Sequence, residues 1–172
     1  MILKGFKEKS NQNYINKTLN NRVVLATNSK IKSIGVIINA DETVDYKKIS
    51  SLLKTLNVNP NNFQIIAFTI EKTFEENSNF QCFNKKSIGW KGSIKNETLK
   101  HFLNREFDIL ISYYVEAPMY LKLLTAVSKA RFKVGILQED ERLNDLIIKT
   151  DIENYKMFEI ELLKYLSILN KI

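Results

Sequence analysis

Cys82 is the only thiol in the chain and His101 the only histidine, so a cysteine–histidine nucleophile would have to be built from these two. Cys82 stands close to Phe80 and Phe83, a setting for a small buried hydrophobe rather than an activated thiolate. His101 lies between Lys100 and Phe102 on a short helical stretch, and one pair of the right residue types carries no geometry by itself. A single cysteine also excludes an intramolecular disulfide and a multi-cysteine metal site. Among the acids, Asp41 and Glu116 could offer hard oxygens to Mg²⁺. The ordinary alternative is that Asp41 caps the helix that follows it, with Glu116 and Glu139 as solvated loop residues. No catalytic residue and no metal ligand is assigned, and no cofactor is expected.

Positive charge is the second kind of chemistry on offer. Of the net +7 of the chain, +6 lies in residues 1–32, where Lys4, Lys7, Lys9, Lys17, Arg22, Lys30 and Lys32 face a single acid, Glu8. A basic arm on a near-neutral body suits attachment to nucleic acid or to an anionic membrane surface. A second basic run follows at 84–105, with Lys85, Lys86, Lys91, Lys95, Lys100 and Arg105 against Glu97. Inside it, Gly89, Trp90, Lys91 and Gly92 set the only tryptophan between two glycines. An exposed indole there could stack on an unpaired base while the lysines follow phosphates. The more usual fate of tryptophan is to tuck beneath the loop and anchor it to the sheet edge. Residues 139–161 are acidic, with eight carboxylates against Arg142, Lys149 and Lys156. They would orient a dipolar molecule with that end away from a polyanion, or else pack against the basic arm.

These residues must be held by regular elements. The length of 172 residues is one domain's worth, 44% hydrophobic content is that of a globular chain, and five glycines and two prolines leave little material for a linker. No apolar run reaches the length of a signal sequence or a membrane span, so a cytoplasmic location is expected. Residues 1–21 read as helical or partly helical. On a helical wheel Ile2, Leu3, Phe6 and Tyr14 share one side while Ile15 and Leu19 fall nearly opposite, which predicts a break at residues 10–13. Apolar runs at 34–38, 63–68, 108–115 and 132–136 read as strands, the last alternating Phe132, Val134 and Ile136 with Lys133 and Gly135. Helical spacing covers 41–56, 96–105, 119–130 and 155–170, and residues 71–95 read as irregular.

Strands joined by helical crossovers imply a parallel sheet. The expected fold is α/β: a three-layer, four-stranded, mainly parallel sheet, flavodoxin-like or Rossmann-like, of order 2-1-3-4. Residues 1–32 form a basic helical arm on a single domain of 33–172. Ligands of such sheets bind beyond the strand carboxyl ends at the switch point, which here offers Asn39, Asp41, Thr69, Tyr114, Glu116 and Gln138. This rim is acidic and lacks the glycine that lets backbone amides approach a phosphate.

The lysine-rich start, residues 83–92 (FNKKSIGWKG), 107–112 (FDILIS) and 128–136 (SKARFKVGI) make the chain resemble a family of small uncharacterised proteins from flavobacteria and their relatives, a domain of unknown function. The resemblance covers nearly the whole chain and implies no catalytic residues. The last two segments are also similar to the N-terminal half of heptosyltransferase-type glycosyltransferases. There an aspartate-led apolar strand, a helix and an Ala-x-x-apolar-Gly run recur in that order. That likeness implies a fold, and transferase activity is not expected without the nucleotide-sugar half. The residues themselves point to a non-enzymatic cytoplasmic binding protein, associated with RNA or the ribosome. Its contacts would be Lys4, Lys7, Lys9, Lys17 and Arg22 of the arm and Lys85, Lys86, Trp90, Lys91 and Lys95 of the loop. The alternatives are peripheral attachment to an anionic membrane through Ile2, Leu3 and Phe6, and a nucleotide- or sugar-binding module or enzyme using the strand carboxyl-end crevice.

Overall fold

Helices cover both faces of a six-stranded parallel sheet in the computed structural model, which describes residues 2–23, 29–70, 80–137 and 139–172. The strands are β1 (Ile34–Asn39), β2 (Phe63–Thr69), β3 (Gln81–Asn84), β4 (Ile109–Tyr113), β5 (Phe132–Ile136) and β6 (Leu146–Ile148). They lie in the order β3-β2-β1-β4-β5-β6, and every neighbouring pair is parallel. The order reverses between β1 and β4, as in a doubly wound sheet. The four expected strands are β2, β1, β4 and β5, adjacent and in that sequence at the centre. The count of four is corrected to six. β3 and β6 are short edge strands of four and three residues, each with one fully buried position, too little apolar pattern to register as strands.

Burial explains the central strands. Every residue of β1, β4 and β5 is buried, because helices lie on both faces. One face presents Val36, Ile38, Ile111, Tyr113, Val134 and Ile136 to α2 (Tyr46–Thr55) and α5 (Tyr155–Ile168). The other presents Ile37, Ile66, Phe68 and Leu110 to α3 (Glu97–Asn104), α4 (Met119–Val127) and the second half of α1 (Ile2–Asn20). Gly35 has no side chain for a local reason: a methyl there would come within 2.7 Å of the Phe107 ring. Helix starts are set by side-chain caps. Asn96 accepts from the Leu99 amide and Asn154 from the Met157 amide. Asp45, not Asp41, caps α2, accepting from the amides of Lys47 and Lys48.

One expectation about the first helix changes. α1 is one continuous helix, with no break at residues 10–13. Its halves use different sides. Asn11, Ile15 and Leu19, at i, i+4 and i+8, are buried against the domain, whereas Leu3 and Phe6 are 75% and 59% exposed. A wheel over the whole segment mixes the two patterns and shows no stripe. Lys133 is also buried. It is 2% exposed, on the β5 face that packs beneath α4.

Candidate functional site

At the strand carboxyl ends of the β1/β4 switch, the possible ligand crevice, the chain turns its own carboxylates onto backbone amides, and a cavity of about 290 Å³ lies beside them, lined by Val115, Glu116, Lys122 and Leu143 among others. Asn39 is buried at the end of β1 and accepts the Asp41 amide at 3.0 Å, while its own amide reaches the Glu116 carbonyl at 3.4 Å. Asp41 accepts from the Thr69 hydroxyl and, at 2.8 Å, from the Ile70 amide, tying β1 to the end of β2. Glu42 was not singled out by sequence, and it matters most here. Its carboxylate takes the amides of Val115 (3.1 Å) and Glu116 (2.5 Å). Those two amides precede α4, where a doubly wound sheet commonly presents N–H groups to an anion. Burial raises the Glu42 pKa, outweighing the amides that hold the charged form. Asn39, Asp41, Thr69 and Glu116 are thus brought together. Tyr114 is not: it is buried on the opposite face, its hydroxyl 2.7 Å from Thr125 Oγ1. Gln138 lies outside the described residues.

The remaining nucleophile and metal candidates offer little. Burial pushes the Cys82 thiol up to about 11, the reverse of activation, and His101 is exposed on α3. Among the described residues no group of three or more His, Cys, Asp or Glu could hold a metal ion. Also among them, no helix is long and apolar enough to cross a membrane.

The two basic segments, by contrast, are joined. The Asn11 side chain is fully buried, donates to the Gly89 carbonyl at 3.1 Å and accepts the Gly92 amide at 2.9 Å. It acts as a clamp between α1 and the turn that closes residues 88–94, where Gly89 donates to the Ser93 carbonyl at 2.7 Å. Four residues earlier, on the same side of the helix, Lys7 donates to the Ile88 carbonyl at 2.5 Å. Burial, Lys95 and Lys85 all lower the Lys7 pKa, in that order, so positive charge is crowded at this junction. Gly92 has φ +70°, and a methyl on it would overlap the Tyr14 ring. Trp90 does not tuck beneath the loop: it is 47% exposed. Around the junction Lys9, Lys17, Lys85, Lys86, Lys91 and Lys95 are exposed, and among the described residues none of them is ion-paired, whereas Lys4 reaches Glu8 and Lys100 reaches Glu97.

A family model described as "Family of unknown function (DUF6913)" matches residues 7–169. The chain belongs to this family. No curated protein and no solved structure matches it. The DUF6913 match runs from Lys7 in α1 to Leu169 after α5, so the basic helix and the sheet fall within one family unit, and the family brings no site residue with it.

Arg22 and Lys133 complete the inventory from the inner side. Arg22 turns away from the exposed lysines into a 2.6 Å ion pair with Asp145, whose side chain is 5% exposed. The same Asp145 oxygen accepts the Lys133 backbone amide at 2.7 Å. The Lys133 ammonium donates to the carbonyls of Thr125 (2.6 Å) and Ala126 (3.2 Å), closing the C-terminus of α4. Burial and then Arg22 bring its pKa down to about 7, with Asp145 opposing them. Sequence reasoning missed the roles of Asn11 and Lys133. An asparagine in an i, i+4, i+8 stripe and a lysine within a buried strand were the only signals.

Proposed function

We propose that this protein binds RNA, as a ribonucleoprotein accessory, through the basic face made by α1 and the 84–95 loop. The observation that carries the reading is the Asn11 clamp, which fixes two lysine-rich segments 78 residues or more apart in sequence into one surface. Lys9, Lys17, Lys85, Lys86, Lys91 and Lys95, exposed and with no ion pair among the described residues, then present their ammonium groups to a polyanion. Contacts of this kind are made to phosphates, carry no sequence preference and weaken steeply with salt. Arg22 takes no part, being held by Asp145. At the β1/β4 switch the Val115 and Glu116 amides are already taken by Glu42, which argues against a phosphate on those two amides.

The test is a salt titration of binding to single-stranded RNA, followed by fluorescence anisotropy. Log affinity is expected to fall linearly with log salt, with a slope of about −0.7 for each phosphate neutralised. The Lys17→Glu/Lys91→Glu double variant should bind more weakly and show a shallower slope. Salt-independent binding, or an unchanged double variant, would overturn the reading. In host lysate the matching readout is RNase-sensitive co-sedimentation with ribonucleoprotein particles at low salt.

One observation favours a second reading. Leu3 and Phe6 are exposed on the first turns of α1 beside Lys4 and Lys9, which fits shallow insertion into an anionic leaflet. The Ile2 side chain lies outside the described residues. Flotation with anionic vesicles that Phe6→Glu abolishes would select this reading; absence of flotation would remove it.

A further inference from the structure

The edge of the basic face that is bounded by α1 and the 90–92 turn is an open groove of about 550 Å³, lined by Ser10, Asn13, Tyr14, Lys17, Asn21 and Lys91 among others. That volume falls in the range of about 300–1,000 Å³ usual for small-ligand clefts. Its chemistry is uneven in an informative way. Lys17 and Lys91 stand on its two walls, one from the helix and one from the turn. The polar groups between them are neutral amides and hydroxyls, able to donate and to accept. The groove has an aromatic wall, because the Tyr14 ring packs over Gly92 and is still 37% exposed. Trp90, two residues along the same turn, is 47% exposed.

We infer that this groove takes an unpaired nucleobase, so that the protein selects single-stranded over duplex RNA; the inference rests on the RNA-binding reading above and deepens it. Phosphate contact alone gives the single strand no advantage, because the duplex has the higher charge density. Aromatic faces give it one, because in a duplex the bases are already stacked and their faces closed, whereas an unpaired base can lie on a side-chain ring. Tyr14 is the stacking surface, Lys17 and Lys91 hold the phosphates on either side, and Asn13 and Asn21 meet the base edge. The turn is built for this exposure. Lys91 and Gly92 both have positive φ, which brings the 90–92 segment round tightly, and the Gly92 Cα leaves room for the Tyr14 ring where any side chain would displace it. Asn11, one helical turn before Ile15, locks the helix to that turn so that the two walls keep their spacing.

The chain reports on its own groove, since Trp90 is its only tryptophan. The 172-residue chain is titrated at low salt with a mixed-sequence RNA of about sixteen nucleotides, long enough for the basic face, and with the duplex of the same RNA. The single strand is expected to quench Trp90 fluorescence and to bind at least about fivefold tighter per phosphate than the duplex. Tyr14→Leu should bring single-strand affinity down to that for the duplex, and Tyr14→Phe should restore the preference, which separates stacking from the tyrosine hydroxyl. Equal binding of the two RNAs with loss of both in Lys17→Glu/Lys91→Glu would overturn the base site while leaving the basic face intact. Single-strand preference that survives Tyr14→Leu would also overturn it. No binding to either RNA would overturn both readings.

Discussion

Replacing Lys133 with methionine removes a buried amine while filling nearly the same space. Two effects oppose each other. The carbonyls of Thr125 and Ala126, which lie in the last turn of α4 and have no helical partner to follow, lose their donor. Each buried acceptor left alone costs about 1–3 kcal/mol. Against this, the variant no longer has to bury an ammonium. The balance depends on pH, and its sign follows from the depressed pKa. Above about pH 10.5 the amine is neutral in both the folded and the unfolded chain. As pH falls, the unfolded chain takes up the proton first and the folded chain resists until about pH 7. Stability contributed by the neutral amine is therefore present at high pH and lost as pH falls through about 7. Between pH 7 and pH 9 the wild type should gain about 2 kcal/mol over Lys133→Met. Urea denaturation of both proteins at the two pH values, with m-values compared, measures that double difference. Cys82, pushed up to about 11, shifts stability in the opposite direction on the alkaline side. It is common to both proteins and cancels. A gap that stays constant from pH 7 to pH 9 would refute the reasoning, and would mean that Asp145 keeps Lys133 charged in spite of burial.

Asn11→Ala should cost about 2 kcal/mol or more, because the Gly89 carbonyl and the Gly92 amide are both left without their buried partner; chemical denaturation gives the loss and hydrogen exchange at Gly92 locates it. Gly92→Ala should cost about 1–2 kcal/mol for its left-handed backbone and displace the Tyr14 ring; a shift of the Tyr14 ring resonances checks this. For Glu42 the folded pKa is raised, so its stabilisation is complete below the unfolded value and lost as pH rises through the folded one. The advantage of wild type over Glu42→Gln should thus shrink as pH climbs from acid toward neutral, measured by thermal melts. An advantage that grows would show that the Val115 and Glu116 amides outweigh burial.

The central sheet was legible because β1, β2, β4 and β5 are apolar runs separated by helices with clear caps, and parallel pairing follows from the crossovers. β3 and β6 were not, since a strand of four residues such as Gln81–Asn84 with a single buried position carries no period. The basic segments were legible as charge but not as one surface. What joins them is Asn11 reaching Gly89 and Gly92, a contact 78 and 81 residues distant in sequence that no local pattern encodes. The crevice was legible as acidic, through Asp41 and Glu116. That Glu42 turns its carboxylate onto the amides ahead of α4 depends on the meeting of β1 and β4, which sequence implies only as topology.

The Arg22–Asp145 pair spans 123 residues, and Arg142 reaches back to Asn16 and Asn20 over comparable distances. Synthesis is vectorial, so α1 leaves the ribosome long before its seat exists. At about 5–20 residues per second, Asp145 follows Arg22 by about 6–25 s. Until α4 and then Asp145 have been made, the second half of the helix lacks the contacts that seat it, although the 88–94 turn that Asn11 grips is already available. Docking of the C-terminal end of α1 is therefore a late event in the life of each new chain, and a nascent chain stalled before residue 142 would hold the helix at Asn11 and leave that end released.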